Sequence, residues 1–222
     1  MTPKQKARRE KILNVTMDHL SLYGFESMNM RDLADAADVS PTTLYRLFDS
    51  KESLILAAVK DQIEQITTSV SRQEEAGLKR LFTLLRSFAG GFASDPNTTT
   101  VIPTLLFMAD AGAPATEVLL TNAIRARRLS VIDMQKAGEI DAKCDADHLA
   151  TQLAMATWGP LLFWAKGFIE IQHLADELVK TSIWSLLPVL TKSGTAQVRA
   201  EIKKNPRLAV LKSALPRQRA RS

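Results

Sequence analysis

Arg31, Pro41, Thr42, Thr43, Tyr45, Arg46 and Lys51 gather in one short stretch the side chains that suit phosphate and base-edge contact. Arg31 carries a fork that can take guanine in bidentate fashion. Tyr45 offers a phenolic hydroxyl to a phosphate, and Thr43 offers a hydroxyl to a phosphate or a methyl to thymine. Lys51 opens a helix, where its ammonium and the free amides of the first turn suit an anion. Pro41, Thr42 and Arg46 rank second. Arg8 and Arg9 stand either as further backbone or minor-groove contacts or as a solvated helix start.

A rival chemistry is thin. His19, His148 and His173 are scattered, and the chain has no P-loop, GxSxG or GxGxxG. The densest titratable group is Cys144, Asp145, Asp147 and His148. It stands where a helix needs an N-cap and first-turn acids, and we read it as a cap rather than a metal site. No catalytic residue, metal ligand or cofactor is assigned, and the chain is not expected to be an enzyme.

The elements that must hold the contact residues follow from local pattern. Leu33, Ala34 and Ala37 share one face of a helix that starts at Met30, with Asn29 as N-cap and Asp32 completing an approximate capping box. A second helix starts after Ser40 with Pro41 in its first position and runs to Phe48, its apolar face Leu44, Leu47 and Phe48. Between them Asp38 stands at a turn position that favours positive φ. Two short helices across such a turn describe a helix-turn-helix. A supporting helix over residues 4–23 carries Ile12, Thr16, Leu20 and Tyr23 on one face, Gly24 ends it, and Phe25 and Met28 are expected to pack below the motif.

Composition bounds the whole. At 45% hydrophobic and 24% charged, with nine glycines and nine prolines in 222 residues, the chain reads as an ordinary globular, nearly all-helical protein. A lone Cys144 and an N-terminus without an apolar stretch predict a cytoplasmic location. The most apolar run, 153–165, is too short to span a membrane, so no membrane partner is expected. The net charge of +5 is uneven: residues 192–222 hold nine Lys/Arg against Glu201 alone, a local +8 that leaves −3 for the remainder. The contact stretch is therefore not marked by bulk charge.

Helices are predicted over 51–70, 75–94, 98–111, 115–136, 148–166 and 174–190. Over residues 115–136, Val118, Leu119, Ile124, Leu129, Ile132 and Met134 alternate with Arg125, Arg127 and Arg128. From Lys192 the pattern fades, with room for a short helix over 196–204 before Asn205-Pro206 and Pro216 argue against continuous order. This organises the chain as a DNA-contacting domain (1–51), a larger helical domain (52–191) and a basic, flexible tail (192–222).

The segment from Arg8 to Leu54 resembles the N-terminal domain of TetR-type (TetR/AcrR) transcriptional regulators. The resemblance rests on Ile12-Leu13, Gly24-Phe25, Met30-Arg31-Asp32-Leu33-Ala34, Ala37-Asp38-Val39-Ser40, Thr43-Leu44-Tyr45, Phe48 and Ser50-Lys51-Glu52-Ser53-Leu54. It departs at Asp38, where the family usually has Gly, at Leu47, where a polar residue is common, and at Thr16, where Ala is usual. The resemblance implies an all-α protein with a three-helix helix-turn-helix domain and a larger ligand-binding and dimerisation domain. It implies a homodimer, joined through the helices at 148–166 and 174–190, on a palindromic double-stranded DNA operator. It further implies a repressor released by a small-molecule effector that shifts the helix starting at Lys51. Phe88, Phe92, Phe107, Met108, Met155 and Trp158 are the candidate pocket lining, and their character predicts a hydrophobic or aromatic ligand. The competing readings are a helical protein–protein adaptor using the basic tail and, further off, a small helical enzyme or metal-binding protein.

Overall fold

The computed structural model describes residues 2–71, 75–94 and 114–215. Among these the chain is helical and without strands: α1 (Pro3–Ser27), α2 (Met30–Ala37), α3 (Pro41–Leu47), α4 (Lys51–Ser71), α5 (Gly77–Ser94), α6 (Pro114–Lys136), α7 (Ala146–Ala165), α8 (Ile171–Leu186) and α9 (Lys192–Lys204), with 3₁₀ turns at Leu187–Val189 and Pro206–Ser213. The helix expected over 98–111 lies outside the described residues. The chain divides into two compact units, Met1–Ile66 with Gly91–Leu119, and Thr67–Gly90 with Leu120–Ser222.

In the first unit α1 packs on α2 and α2 on α3. Ile12, Leu13, Leu20, Leu33, Ala34, Ala37, Leu44, Leu54, Ile55 and Ala58 are buried together as its core. Thr16 stands in this core without cost, because its hydroxyl donates to the Ile12 carbonyl at 2.8 Å. Gly24 leaves helical geometry at φ 73°, as the stop pattern requires, although helical turns resume to Ser27. Met28 is buried and Phe25 half-buried, but Tyr23, expected on the inner face, is exposed.

The second unit is held by Glu139, which is buried and satisfied. Its Oε2 accepts from the Leu78 amide at 2.7 Å, capping the start of α5, and its Oε1 accepts from Gln197 Nε2 of α9. Gly77 is needed beside it: its φ is +61°, and a Cβ there would lie 2.0 Å from Glu139 Oε2. Asp133 holds the same corner, accepting from the Gly77 amide and pairing with Arg80 at 2.9 Å. α7 and α8 pack against each other, and α7 runs through Pro160 without ending.

Two expectations change here. Residues 192–215 are not a flexible tail: α9 and the following 3₁₀ turn bury Val198, Ile202, Leu208, Leu211 and Leu215. Glu201 pairs with Arg86, and Asn205 Nδ2 donates to Asp176 at 2.5 Å. Only nine of the positions in the basic segment are cationic, and an apolar residue every three or four positions lies between them. In α6, Leu129 is 62% exposed while Arg127 is only 4% exposed. The buried stripe is Arg127, Ser130, Val131 and Met134, one face at helical spacing with a cation at its head.

Candidate DNA-contact surface

α2 starts where Asn29 Oδ1 accepts from the Arg31 and Asp32 amides at 3.0 and 2.9 Å. Asp32 does not close the box onto the backbone. Its carboxylate instead accepts from Asn29 Nδ2 at 2.6 Å, which holds the capping amide in place. Arg31 is thereby fixed in the first turn with its side chain exposed.

The turn is a Schellman motif. The Asp38 amide donates to Asp35 O at 3.1 Å and the Val39 amide to Ala34 O at 2.9 Å, with Asp38 at φ 58° and ψ 50°. Among the described residues Asp38 is the one non-glycine with positive φ. Its carboxylate lies 4.0 Å from Lys11 Nζ, a solvated pair of little energetic weight.

α3 starts at Ser40, whose Oγ accepts from the Thr43 amide at 3.2 Å and lies 2.9 Å from Thr43 Oγ1. Leu44 is fully buried and Phe48 buried, so they lock α3 onto the unit. Pro41, Thr42, Tyr45 and Arg46 form the exposed face. Thr43 is half-buried with its hydroxyl shared with Ser40, which makes it first a capping residue. Leu47, expected inside, is 45% exposed and joins the outer face. Arg9 reaches back over the Phe48 ring at 5.6 Å.

Lys51 has a second duty. Its Nζ donates to Phe25 O at 3.2 Å and lies 4.3 Å from the centre of the Phe25 ring. Ser50 caps α4 by accepting from the Ser53 amide at 3.1 Å. The ammonium thus ties the start of α4 to the end of α1, a contact that sequence spacing does not signal.

Of the six residues expected to line an effector pocket, Phe107 and Met108 lie outside the described residues. Phe88, Phe92 and Trp158 are half-buried. Met155 is 60% exposed and faces outward on α7, so it is withdrawn from the lining. Phe88 instead faces a residue that the sequence pattern placed outside: the Arg127 guanidinium lies 5.8 Å from its ring centre. The Cys144–His148 group is a cap, since Asp145 Oδ1 accepts from the Asp147 and His148 amides at 2.9 and 3.1 Å. These amides, the His148 one foremost, lower the Asp145 pKa below the ordinary carboxylate value.

Residues 12–58 match the family described as bacterial regulatory proteins, tetR family. The chain is 35% identical over 117 residues to the HTH-type transcriptional repressor KstR of Mycobacterium tuberculosis, covering 51% of this chain and 53% of that one. It is 34% identical over 112 residues to KstR of Rhodococcus jostii, covering 50% and 53%. The chain thus spans about half the length of these curated relatives, which are transcriptional repressors and not enzymes. The fold matches that of Thermus thermophilus FadR, a TetR-family repressor solved with lauroyl-CoA, at a TM-score of 0.69 and 20% identity over 83% of this chain and 96% of that one.

Proposed function

We propose that this chain is a TetR-type regulator, a sequence-specific DNA-binding repressor released from its operator by a small effector. The observation that carries this reading is the α2–α3 geometry. The turn at Asp38 and the buried Leu44 hold α3 so that Tyr45, Arg46, Thr42 and Pro41 stand on one outer face, with Arg31 exposed at the start of α2. Such a helix enters a major groove. Tyr45 and Thr42 supply phosphate contacts, Arg31 the base-edge contact, and Lys51 orients α4 while its helix start offers amides to a phosphate.

The same reading makes the protein a C₂ homodimer in the cytoplasm on a palindromic operator, with half-sites about 34–36 Å apart. Its support is the exposure of large apolar side chains on α7 and α8, namely Met155, Phe163 and Trp184. The effector would act through α4, which carries the chain out of the DNA-contact unit.

Selection of bound duplexes from a random pool, followed by fluorescence anisotropy on the winning sequence, tests the proposal. Arg31→Ala and Tyr45→Phe are each expected to weaken that duplex about tenfold or more at fixed salt. Binding without sequence preference, unmoved by both substitutions, refutes it.

A further inference from the structure

Three charged side chains are buried among the described residues: Arg127, Glu139 and Glu201. The two acids are paired, Glu139 with the Leu78 amide and Gln197, and Glu201 with Arg86. Arg127 is not. Its Nη2 donates to Thr157 Oγ1 at 3.2 Å and its face lies over Phe88, while Nε and Nη1 are buried without an acceptor. Burial lowers its pKa to about 10, and no carboxylate opposes that shift. One position along α7 from Thr157, the Trp158 indole N–H is also buried without an acceptor.

Two unmet guanidinium donors therefore stand where α5, α6 and α7 bring Phe88, Arg127 and Thr157 together. A buried cation without a counter-charge is costly unless something supplies one. We infer that Arg127 is the anchor for the carboxylate of the effector, an organic acid whose apolar body lies against Phe88. A carboxylate fits better than a phosphate because a single compact negative charge neutralises one guanidinium, whereas a polyphosphate would bring further buried charge. The inference sharpens the expected ligand from hydrophobic to amphipathic and acidic. It rests on the regulator reading for its biological meaning, but not for the binding event itself.

The test is a titration of the full-length protein with a chain-length series of alkanoates from butanoate to palmitate, with phenylalkanoates, and with laurate's methyl ester and lauroyl-CoA as comparators. Binding is read by calorimetry and by thermal shift. We expect at least one acid to bind, its uncharged ester to bind at least tenfold more weakly, Arg127→Met to lose roughly 30-fold or more, and Arg127→Lys to lose less. Circular dichroism of both variants reports folding, and Arg127→Lys carries the comparison if Arg127→Met does not fold. The inference is overturned if no acid binds, if the ester or the CoA thioester binds as tightly as the acid, or if both variants bind as the wild type does. Operator binding by the unliganded protein is measured alongside. Its failure removes the regulator reading while leaving an Arg127-dependent acid site in place, and the converse result removes only the acid site.

Discussion

Replacing Asp38 by Gly should leave the stability of the first unit nearly unchanged, whereas a β-branched residue there should lower it. Asp38 is held at φ 58° and ψ 50° by the two capping hydrogen bonds of its motif. A residue with a Cβ bears about 1–2 kcal/mol in this region, the lower end applying to Asp. Glycine removes that term but loses about 0.5–1 kcal/mol more backbone entropy on folding. The ion pair to Lys11 is 4.0 Å long and the Asp38 side chain is 93% exposed, so its loss costs at most a few tenths of a kcal/mol. These effects nearly cancel, so the net change for Asp38→Gly is expected within about 0.5 kcal/mol of zero. Asp38→Val, β-branched at the same angles, should cost about 2 kcal/mol. Asp38→Asn keeps the tolerance for this conformation and removes the charge, which isolates the Lys11 pair. Urea denaturation read at equilibrium measures all three. Gly, Asp and Asn are expected to lie within about 0.5 kcal/mol of one another, with Val lowest. The expectation fails if Val matches the wild type or if Gly differs from it by more than about 1 kcal/mol. Gly138 and Gly167 close α6 and α7 with the same pair of hydrogen bonds, at φ 66° and 79°, and serve as internal comparators.

Three further outcomes are expected. Gly77→Ala should cost about 3 kcal/mol in thermal or urea unfolding, because its Cβ would displace Glu139 from the Leu78 amide; a change under about 1 kcal/mol contradicts that packing. Asp145→Ala should destabilise the protein near neutrality, and the gap should close in acid: a carboxylate with a lowered folded pKa gives its stability above the unfolded value of about 4 and loses it as pH falls through the folded pKa. A gap that persists unchanged at low pH would show that the charge is not the cause. If the proposed dimer forms through α7 and α8, Trp184→Glu should give monomers by sedimentation velocity and weaken operator binding at least tenfold, whereas a persistent dimer with wild-type affinity places the interface elsewhere.

The geometry of the helix-turn-helix was largely legible in the sequence because its determinants are local. Asn29, Ser40 and Asp145 cap helices through amides two or three residues away. Asp38 adopts positive φ because it is the C′ residue of the Schellman motif that ends α2. The burial of Leu44 and the exposure of Tyr45 follow from helical period alone. Leu47 was the error of that method: a seven-residue helix offers too few turns to define which side of its apolar stripe is covered.

The amino-acid sequence by itself determined the helical class, the caps and the helix-turn-helix with its outward Tyr45 and Arg46, since these depend on contacts a few residues apart. Only the tertiary structure decided that Lys51 ties α4 to Phe25 across 26 positions, that Val198, Ile202, Leu208 and Leu211 turn a basic tail into core, and that Arg127 lies inside while Leu129 lies outside. Periodicity ranks side chains by their own polarity, whereas burial is imposed by whatever packs against the helix. An unpaired buried arginine is therefore invisible to pattern and becomes apparent only once α5, α6 and α7 enclose it.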